Sequence, residues 1–110
     1  MQKISLDALA RDLLEKAASS SGGHTADTIV GGHEHALRQT VIAMVKGSTL
    51  DEHESPGEAT LFVLRGRVRL SAGADSWEPR TGDLLVIPPS RHDLVALEDS
   101  AVVLTVVKKL

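Results

Sequence analysis

Residues 47–66 read GSTLDEHESPGEATLFVLRG, and residues 82–97 read GDLLVIPPSRHDLVAL. Each segment begins with a glycine, and six residues later it places His53 in the first case and Pro88 in the second. A second histidine, His92, follows that proline. Apolar runs separated by turn residues predict β-strands in both segments.

Short runs rich in valine, leucine, isoleucine and threonine extend this pattern through most of the chain. They lie at Thr28–Val30, Leu37–Val45, Thr60–Leu64, Val68–Leu70, Leu84–Ile87, Leu94–Leu97 and Ala101–Val107. Glycine, proline, serine and aspartate between the runs are typical of tight turns. Many short strands at this spacing predict an all-β antiparallel sandwich or barrel.

One amphipathic helix is predicted before the strands, over residues 5–18, with Ser5 as a good N-cap. Its apolar residues recur at helical spacing: Leu6, Leu9, Ala10, Leu13, Leu14 and Ala17. This stripe must pack against either the barrel or a second subunit. We divide the chain into the helix (1–18), a linker with the first strand (19–35) and the barrel (36–110), which form a single domain overall.

Composition excludes several functional classes. The 110 residues carry a formal net charge of −3, which argues against nucleic acid or an anionic membrane as the main partner. Arg65, Arg67 and Arg69 alternate, which predicts that they share one face of a strand, either a solvated outer sheet face or the rim of a dimer. The chain has no cysteine, so disulfides, thiolate catalysis and cysteine zinc sites are excluded.

The cellular compartment is predicted from what the sequence lacks. No segment approaches the roughly 20 apolar residues of a membrane span. The N-terminal stretch carries acids within its apolar stripe, unlike a secretory signal. We therefore expect a soluble cytoplasmic protein.

The first quoted segment resembles the first signature motif of the cupin family. That motif runs glycine, five residues, His-x-His, three or four residues, glutamate, six residues and glycine. Gly47, His53 and Gly66 match it, while Ser55 and Ala59 stand at the second histidine and glutamate positions. The framework of the motif is therefore present, but its ligand set is incomplete.

The second quoted segment resembles the second cupin motif, in which a histidine follows a glycine and a proline. Gly82, Pro88 and His92 correspond, with His92 one residue sooner than usual. The resemblance covers roughly residues 36–108 and implies an antiparallel jelly-roll β-barrel.

The resemblance also implies a metal site, because cupin histidines and glutamate bind divalent transition metals. It assigns His53 and His92 as ligands of Fe, Mn, Ni, Cu or Zn, which imidazole binds well. Two protein ligands are few, so His33 and His35 are candidate additional ligands if their segment forms a strand beside His53. The alternative is that both are surface histidines.

A mostly apolar pocket is predicted beside these histidines. Leu61 and Val63 face inward and Met44 lies nearby, with Ser55 as a further polar group. Glu58 is a candidate substitute ligand or general base, although Ala59 holds the inward position and Glu58 then faces out. Such a pocket suits recognition of a small molecule.

Three functions remain open at this stage. The protein is an enzyme acting on a small polar molecule, a binding or sensing module without turnover, or a dimeric scaffold without metal. Deoxysugar epimerases of similar fold use a tyrosine acid, and this chain has no tyrosine. We expect a homodimer in all three cases.

Overall fold

The computed structural model describes residues 1–54 and 57–108, and within them one helix precedes nine strands. The elements are α1 (Leu6–Ala18), β1 (His24–Val30), β2 (Leu37–Met44), β3 (Thr49–His53), β4 (Glu58–Arg65), β5 (Val68–Ala72), β6 (Asp75–Trp77), β7 (Leu84–Val86), β8 (His92–Ala96) and β9 (Ser100–Val107). The strands form two antiparallel sheets, in the orders β1-β2-β9-β4-β7 and β3-β8-β5-β6. The predicted all-β antiparallel fold with one N-terminal helix is confirmed.

Helix α1 packs on the outer face of the five-stranded sheet. Ser5 caps it as predicted, since its Oγ accepts a hydrogen bond from the Ala8 N–H at 3.3 Å. Below the helix lies a small outer core of Leu13, Ala17, Val41, Ala43 and Val103. The apolar stripe of the helix therefore packs against the barrel, which was the first of the two expected alternatives.

An ion pair joins the first turn of the helix to the end of β4. Arg65 Nη2 lies 2.8 Å from Asp7 Oδ1, and both side chains are exposed. The hydrogen bond from Arg65 holds the pKa of the Asp7 carboxyl below its usual range. Exposed pairs of this kind contribute little to stability, so the outer core is the main attachment of the helix.

The main core fills the space between the two sheets. Its buried members are Ile42, Met44, Ala59, Leu61, Val63, Val68, Leu70, Ile87, Leu94, Ala96, Val102 and Val106. Strand β4 shows how alternation builds it: Ala59, Leu61 and Val63 are buried, whereas Glu58 and Phe62 are exposed. This period of two directs every second side chain into the barrel.

The structure corrects the predicted arrangement of three arginines. Gly66 has a φ of +83° and turns the chain between β4 and β5, so the three do not share one strand. Arg65 pairs with Asp7, Arg67 with Glu98 and Arg69 with Glu78. These side chains serve as separate surface ion pairs.

Strand boundaries differ from the sequence prediction mainly where the strands are polar. Strands β3 and β6, with the sequences TLDEH and DSW, contain too few apolar residues to be recognised as runs. Strand β1 begins at His24, four residues before the predicted start at Thr28. Within residues 1–54 and 57–108, no helix is long and apolar enough to cross a membrane.

Candidate binding site at the barrel mouth

The structure brings together the two histidines that match the motifs. His53 ends β3 and His92 begins β8, and the two residues are cross-strand partners. Their ring centroids lie 4.5 Å apart with 68° between the ring planes. His92 is 4% exposed, whereas His53 is exposed. The pair therefore spans the boundary between the barrel interior and solvent.

Hydrogen bonds to the backbone fix the tautomer of both rings. His53 Nδ1 donates to the carbonyl oxygen of Asp51 at 2.9 Å, and His92 Nδ1 donates to that of Ser90 at 2.8 Å. A carbonyl oxygen only accepts, so each Nδ1 carries a hydrogen. In the neutral rings each Nε2 then has a free lone pair. Each imidazole therefore offers one acceptor at Nε2.

A small cavity of about 60 Å³ opens beside the histidines. Seven aliphatic side chains and the two imidazoles line it, drawn from both sheets: Ile42, Leu50, His53, Leu61, Leu70, Ile87, His92, Leu94 and Leu104. Apolar walls with a few convergent polar groups are the usual composition of a small-molecule site.

Charged side chains lie on the rim outside the histidine pair. Arg91 Nε lies 3.0 Å from Glu52 Oε1, and Arg91 Nη1 lies 2.9 Å from Glu54 Oε1. The hydrogen bonds to Glu54 and Glu52 raise the pKa of the Arg91 guanidinium. Because two carboxylates face one guanidinium, the net charge of these three rim residues is negative.

The imidazole pair fits a divalent transition metal as two of its ligands. The ring centroids lie 4.5 Å apart, so the pair brings two imidazoles, which are good donors for such metals, next to each other. The bonds from Nδ1 to backbone carbonyls are also what metal-binding histidines usually make. His53 and His92 therefore suit a borderline metal such as Fe, Ni or Zn.

The described residues supply no further protein ligand to this pair. In the ranges 1–54 and 57–108, no group of three or more histidine, cysteine or acidic side chains is arranged to hold a metal ion. Ala59, at the glutamate position of the motif, is 7% exposed and packs in the main core. A metal bound by the two imidazoles would keep its other positions for water or a small ligand.

The structure does not bring His33 and His35 to the mouth. Their segment forms a turn instead of the strand that was required, and the His35 N–H donates to the Gly32 carbonyl at 3.2 Å. Both side chains are exposed. His35 lines a separate cleft of about 330 Å³, beside Leu37. The displaced site with additional histidines is therefore not formed.

The other predicted pocket residues divide into four groups. Leu61 lines the cavity. Met44 and Val63 are fully buried in the main core but are not part of the cavity lining. Glu58 is exposed, because the inward positions of β4 belong to its neighbours. Ser55 lies outside the described residues.

Sequence reasoning missed most of the aliphatic lining. The unpredicted members are Ile42, Leu50, Leu70, Ile87, Leu94 and Leu104. A parity signal was available for one of them, since Leu94 lies two residues after His92 and shares its face. The others depend on how two sheets face each other, which strand periodicity does not specify.

Comparison with known proteins agrees with this fold. Residues 40–108 match the family model of the cupin domain. The chain belongs to the cupin family. No curated protein matches it in sequence.

Some similar solved structures match this cupin over most of their own length, and others match it over only part of theirs. A conserved protein of unknown function from Streptococcus pyogenes is similar over 83% of this chain and 79% of its own, at 27% identity and a TM-score of 0.72. A cupin 2 conserved barrel domain protein from Leptotrichia buccalis is 25% identical over 81% of this chain and 43% of its own, with a TM-score of 0.69.

A salicylate 1,2-dioxygenase from Pseudaminobacter salicylatoxidans shares the barrel with this cupin. It is 16% identical, with a TM-score of 0.76, over 90% of this chain and 33% of its own. At this identity the likeness shows the fold alone. The chemistry of the mouth must therefore be argued from this chain's own residues.

Proposed function

We propose that this cupin binds a small molecule at the barrel mouth. A short aliphatic end of the ligand enters the cavity, and its polar head meets His53 and His92. The observation that carries the proposal is the lining itself, with seven aliphatic side chains and two imidazoles as the only polar groups among the lining residues that the structure describes. Burial of the aliphatic end supplies affinity, and the imidazoles supply orientation.

The tautomer of the two rings indicates which polar head group the ligand carries. Both Nδ1 atoms donate to backbone carbonyls, so each neutral ring offers the ligand an acceptor at Nε2. Glu52 and Glu54 outnumber Arg91 on the adjacent rim. Acceptors and negative charge favour a hydroxyl or ammonium head over a carboxylate.

The size of the cavity limits the part of the ligand that enters it. Its volume of about 60 Å³ is far below the roughly 300–1,000 Å³ of sites that enclose a drug-sized molecule. A chain of a few carbon atoms is therefore expected to fill it. The remainder of a larger ligand would lie outside, at the rim.

We expect n-butylamine and n-butanol to bind in preference to butyrate, because all three offer a similar aliphatic end and only the first two offer a donor head. The measurement is NMR of methyl-labelled protein during titration. Methyl signals of Leu61, Leu94 and Leu104 should shift. Those of Leu13, in the outer core under α1, should not shift.

Two variants test whether the shifts arise from binding at the barrel mouth. His92→Ala should abolish the shifts, whereas His35→Ala, which alters the separate cleft, should leave them unchanged. Equal shifts with all three compounds would contradict the proposed head group. An absence of shifts at millimolar concentrations of every compound would contradict the binding function.

A second candidate function is binding of a divalent transition metal by His53 and His92. The 4.5 Å ring separation together with the two Nδ1 hydrogen bonds favours it, since both Nε2 lone pairs are already oriented by the backbone. A bound metal would supply a Lewis acid with open positions for a small ligand. The chain's own residues would hold the ion and form the apolar wall beside it.

We also propose that the cupin forms a homodimer through the outer face of β4 and β7. Strand β7 is an edge strand, and its Leu84 and Val86 are 63% and 73% exposed. Phe62, the cross-strand partner of Leu84, extends the same apolar surface. Exposed apolar residues on an open sheet edge are typical of an association surface.

Val86→Asp is expected to convert the dimer into a monomer, because the carboxylate would be buried unpaired at the interface. Light scattering coupled to size-exclusion chromatography measures the mass directly. Ser76→Asp, on the edge strand β6 of the other sheet, is the matched control and should remain dimeric. A wild-type protein of monomer mass would refute the proposed dimer.

A further inference from the structure

Arg91 binds the chain on both sides of His53. Its Nε lies 3.0 Å from Glu52 Oε1, its Nη1 lies 2.9 Å from Glu54 Oε1, and its Nη2 donates to the Glu52 carbonyl oxygen at 3.4 Å. Arg91 is also the residue immediately before His92. Arg91, the sequence neighbour of His92, is therefore bonded to both sequence neighbours of His53.

The backbone pairing is irregular next to the position where this guanidinium acts. Strand β3 lies at the end of its sheet and pairs with β8 through Thr49↔Val95, Leu50↔Leu94 and His53↔His92. The register is irregular between the second and third pairs. A bulge of this kind leaves residues without ladder partners. Side-chain contacts must then help to hold the end of β3 against β8.

The other ion-paired arginines differ from Arg91 in this respect. Within residues 1–54 and 57–108, Arg65, Arg67 and Arg69 each pair with one acid. Arg69 is the matched control, since it lies on a strand of the same sheet and its side chain is also about half exposed (43% against 51% for Arg91). Its partner Glu78 is not adjacent to a site histidine.

We propose that Arg91 is a positioning residue that holds His53 against His92, so that both Nε2 atoms act on one bound group. This inference rests on the proposed function of the histidine pair. All three charged side chains are largely exposed, and exposed ion pairs contribute little to global stability. The effect of Arg91 therefore falls on the spacing of the two imidazoles and leaves the melting temperature nearly unchanged.

A disulfide trap measures this spacing without any ligand. The protein has no cysteine, so His53→Cys with His92→Cys introduces the only two thiols. Cross-strand partners have Cα atoms ~4.5–5.5 Å apart, which lies within the range that a disulfide spans. The equilibrium constant for disulfide formation against glutathione then reports how closely the two positions are held.

Adding Arg91→Ala to this double-cysteine protein should lower the equilibrium constant by roughly three- to tenfold, while adding Arg69→Ala should leave it unchanged. Glu52→Gln with Glu54→Gln should reproduce the loss, and it tests the inference even if Arg91→Ala folds poorly. An equilibrium constant that Arg91→Ala and the double glutamine variant both leave unchanged would overturn the inference.

A second readout uses the native histidines and Ni²⁺ as the probe. Arg91→Ala should weaken Ni²⁺ binding about tenfold, and Arg91→Lys, which keeps the charge but loses the fork that reaches two carboxylates, should recover only part of it. The trap requires no metal. A wild-type protein that binds no Ni²⁺ would therefore reject the metal candidate, while the trap still decides the role of Arg91.

Discussion

Gly66→Ala is expected to cost roughly 2–5 kcal/mol of unfolding free energy, a large part of the stability of a small domain. Gly66 has a φ of +83°, where a residue with a Cβ is strained. A Cβ at this position would also overlap the Ser100 side chain and the Asp99 carbonyl oxygen. Urea unfolding of the two proteins measures the difference.

The surroundings of Gly66 have little freedom to relieve this overlap. Its N–H donates to Thr81 Oγ1 at 3.0 Å, and its carbonyl accepts from the Thr81 N–H at 2.9 Å. Ser100 is fully buried, and its Oγ donates to the Glu98 carbonyl at 2.8 Å while accepting from the Arg67 N–H at 3.1 Å. The Ser100 side chain could therefore move only by breaking its hydrogen bonds.

Gly47→Ala is the matched control for this prediction. Gly47 has a nearly equal φ of +87°, but no atom lies within 4 Å of a Cβ built there. Its substitution should therefore cost only the conformational term, about 1–2 kcal/mol. If both variants lost the same stability, the close packing of Gly66 against Ser100 would not be the cause.

His92→Gln is expected to weaken Ni²⁺ binding at least about 100-fold, and His53→Gln should do the same. Loss of a contact that only orients a metal ligand already costs about 10–100-fold, so loss of one of two ligands costs at least as much. The two rings lie 4.5 Å apart, and each would supply one of the two protein ligands. Either substitution therefore removes one ligand and leaves the other. Isothermal titration with Ni²⁺ gives the affinities.

The remaining histidines provide the controls for this experiment. His33 and His35 lie in the turn between β1 and β2, and glutamine at either position should leave Ni²⁺ affinity unchanged. Tight binding that survives His92→Gln, or that disappears with His35→Gln, would place the metal somewhere other than the barrel mouth. Either result would reject His53 and His92 as the ligand pair.

The fold was predictable because its signals are local. Turn glycines separated the strands, and alternation along β4 correctly placed Ala59, Leu61 and Val63 inside. The same alternation indicated that Glu58 faces outward, as the structure shows. Spacing between motif residues singled out His53 and His92, which the structure makes cross-strand partners.

The remainder of the site depends on long-range geometry. His33 and His35 would share one face only if their segment were extended. It forms a turn instead, closed by the hydrogen bond from the His35 N–H to the Gly32 carbonyl. The role of Arg91 could not be predicted, because 39 and 37 residues separate it from Glu52 and Glu54. Strand order brings such groups together, and a short sequence pattern does not specify it.

Strands β2 and β9 contribute to both cores, one on each face. Val41 and Val103 pack under the helix, while Ile42 and Val102 fill the barrel. A substitution in these strands therefore disturbs two packed layers, whereas one at the exposed rim, where His53 and Arg91 lie, disturbs neither. During evolution such a barrel is free to change its ligand by changes at the rim, while its central strands tolerate little variation.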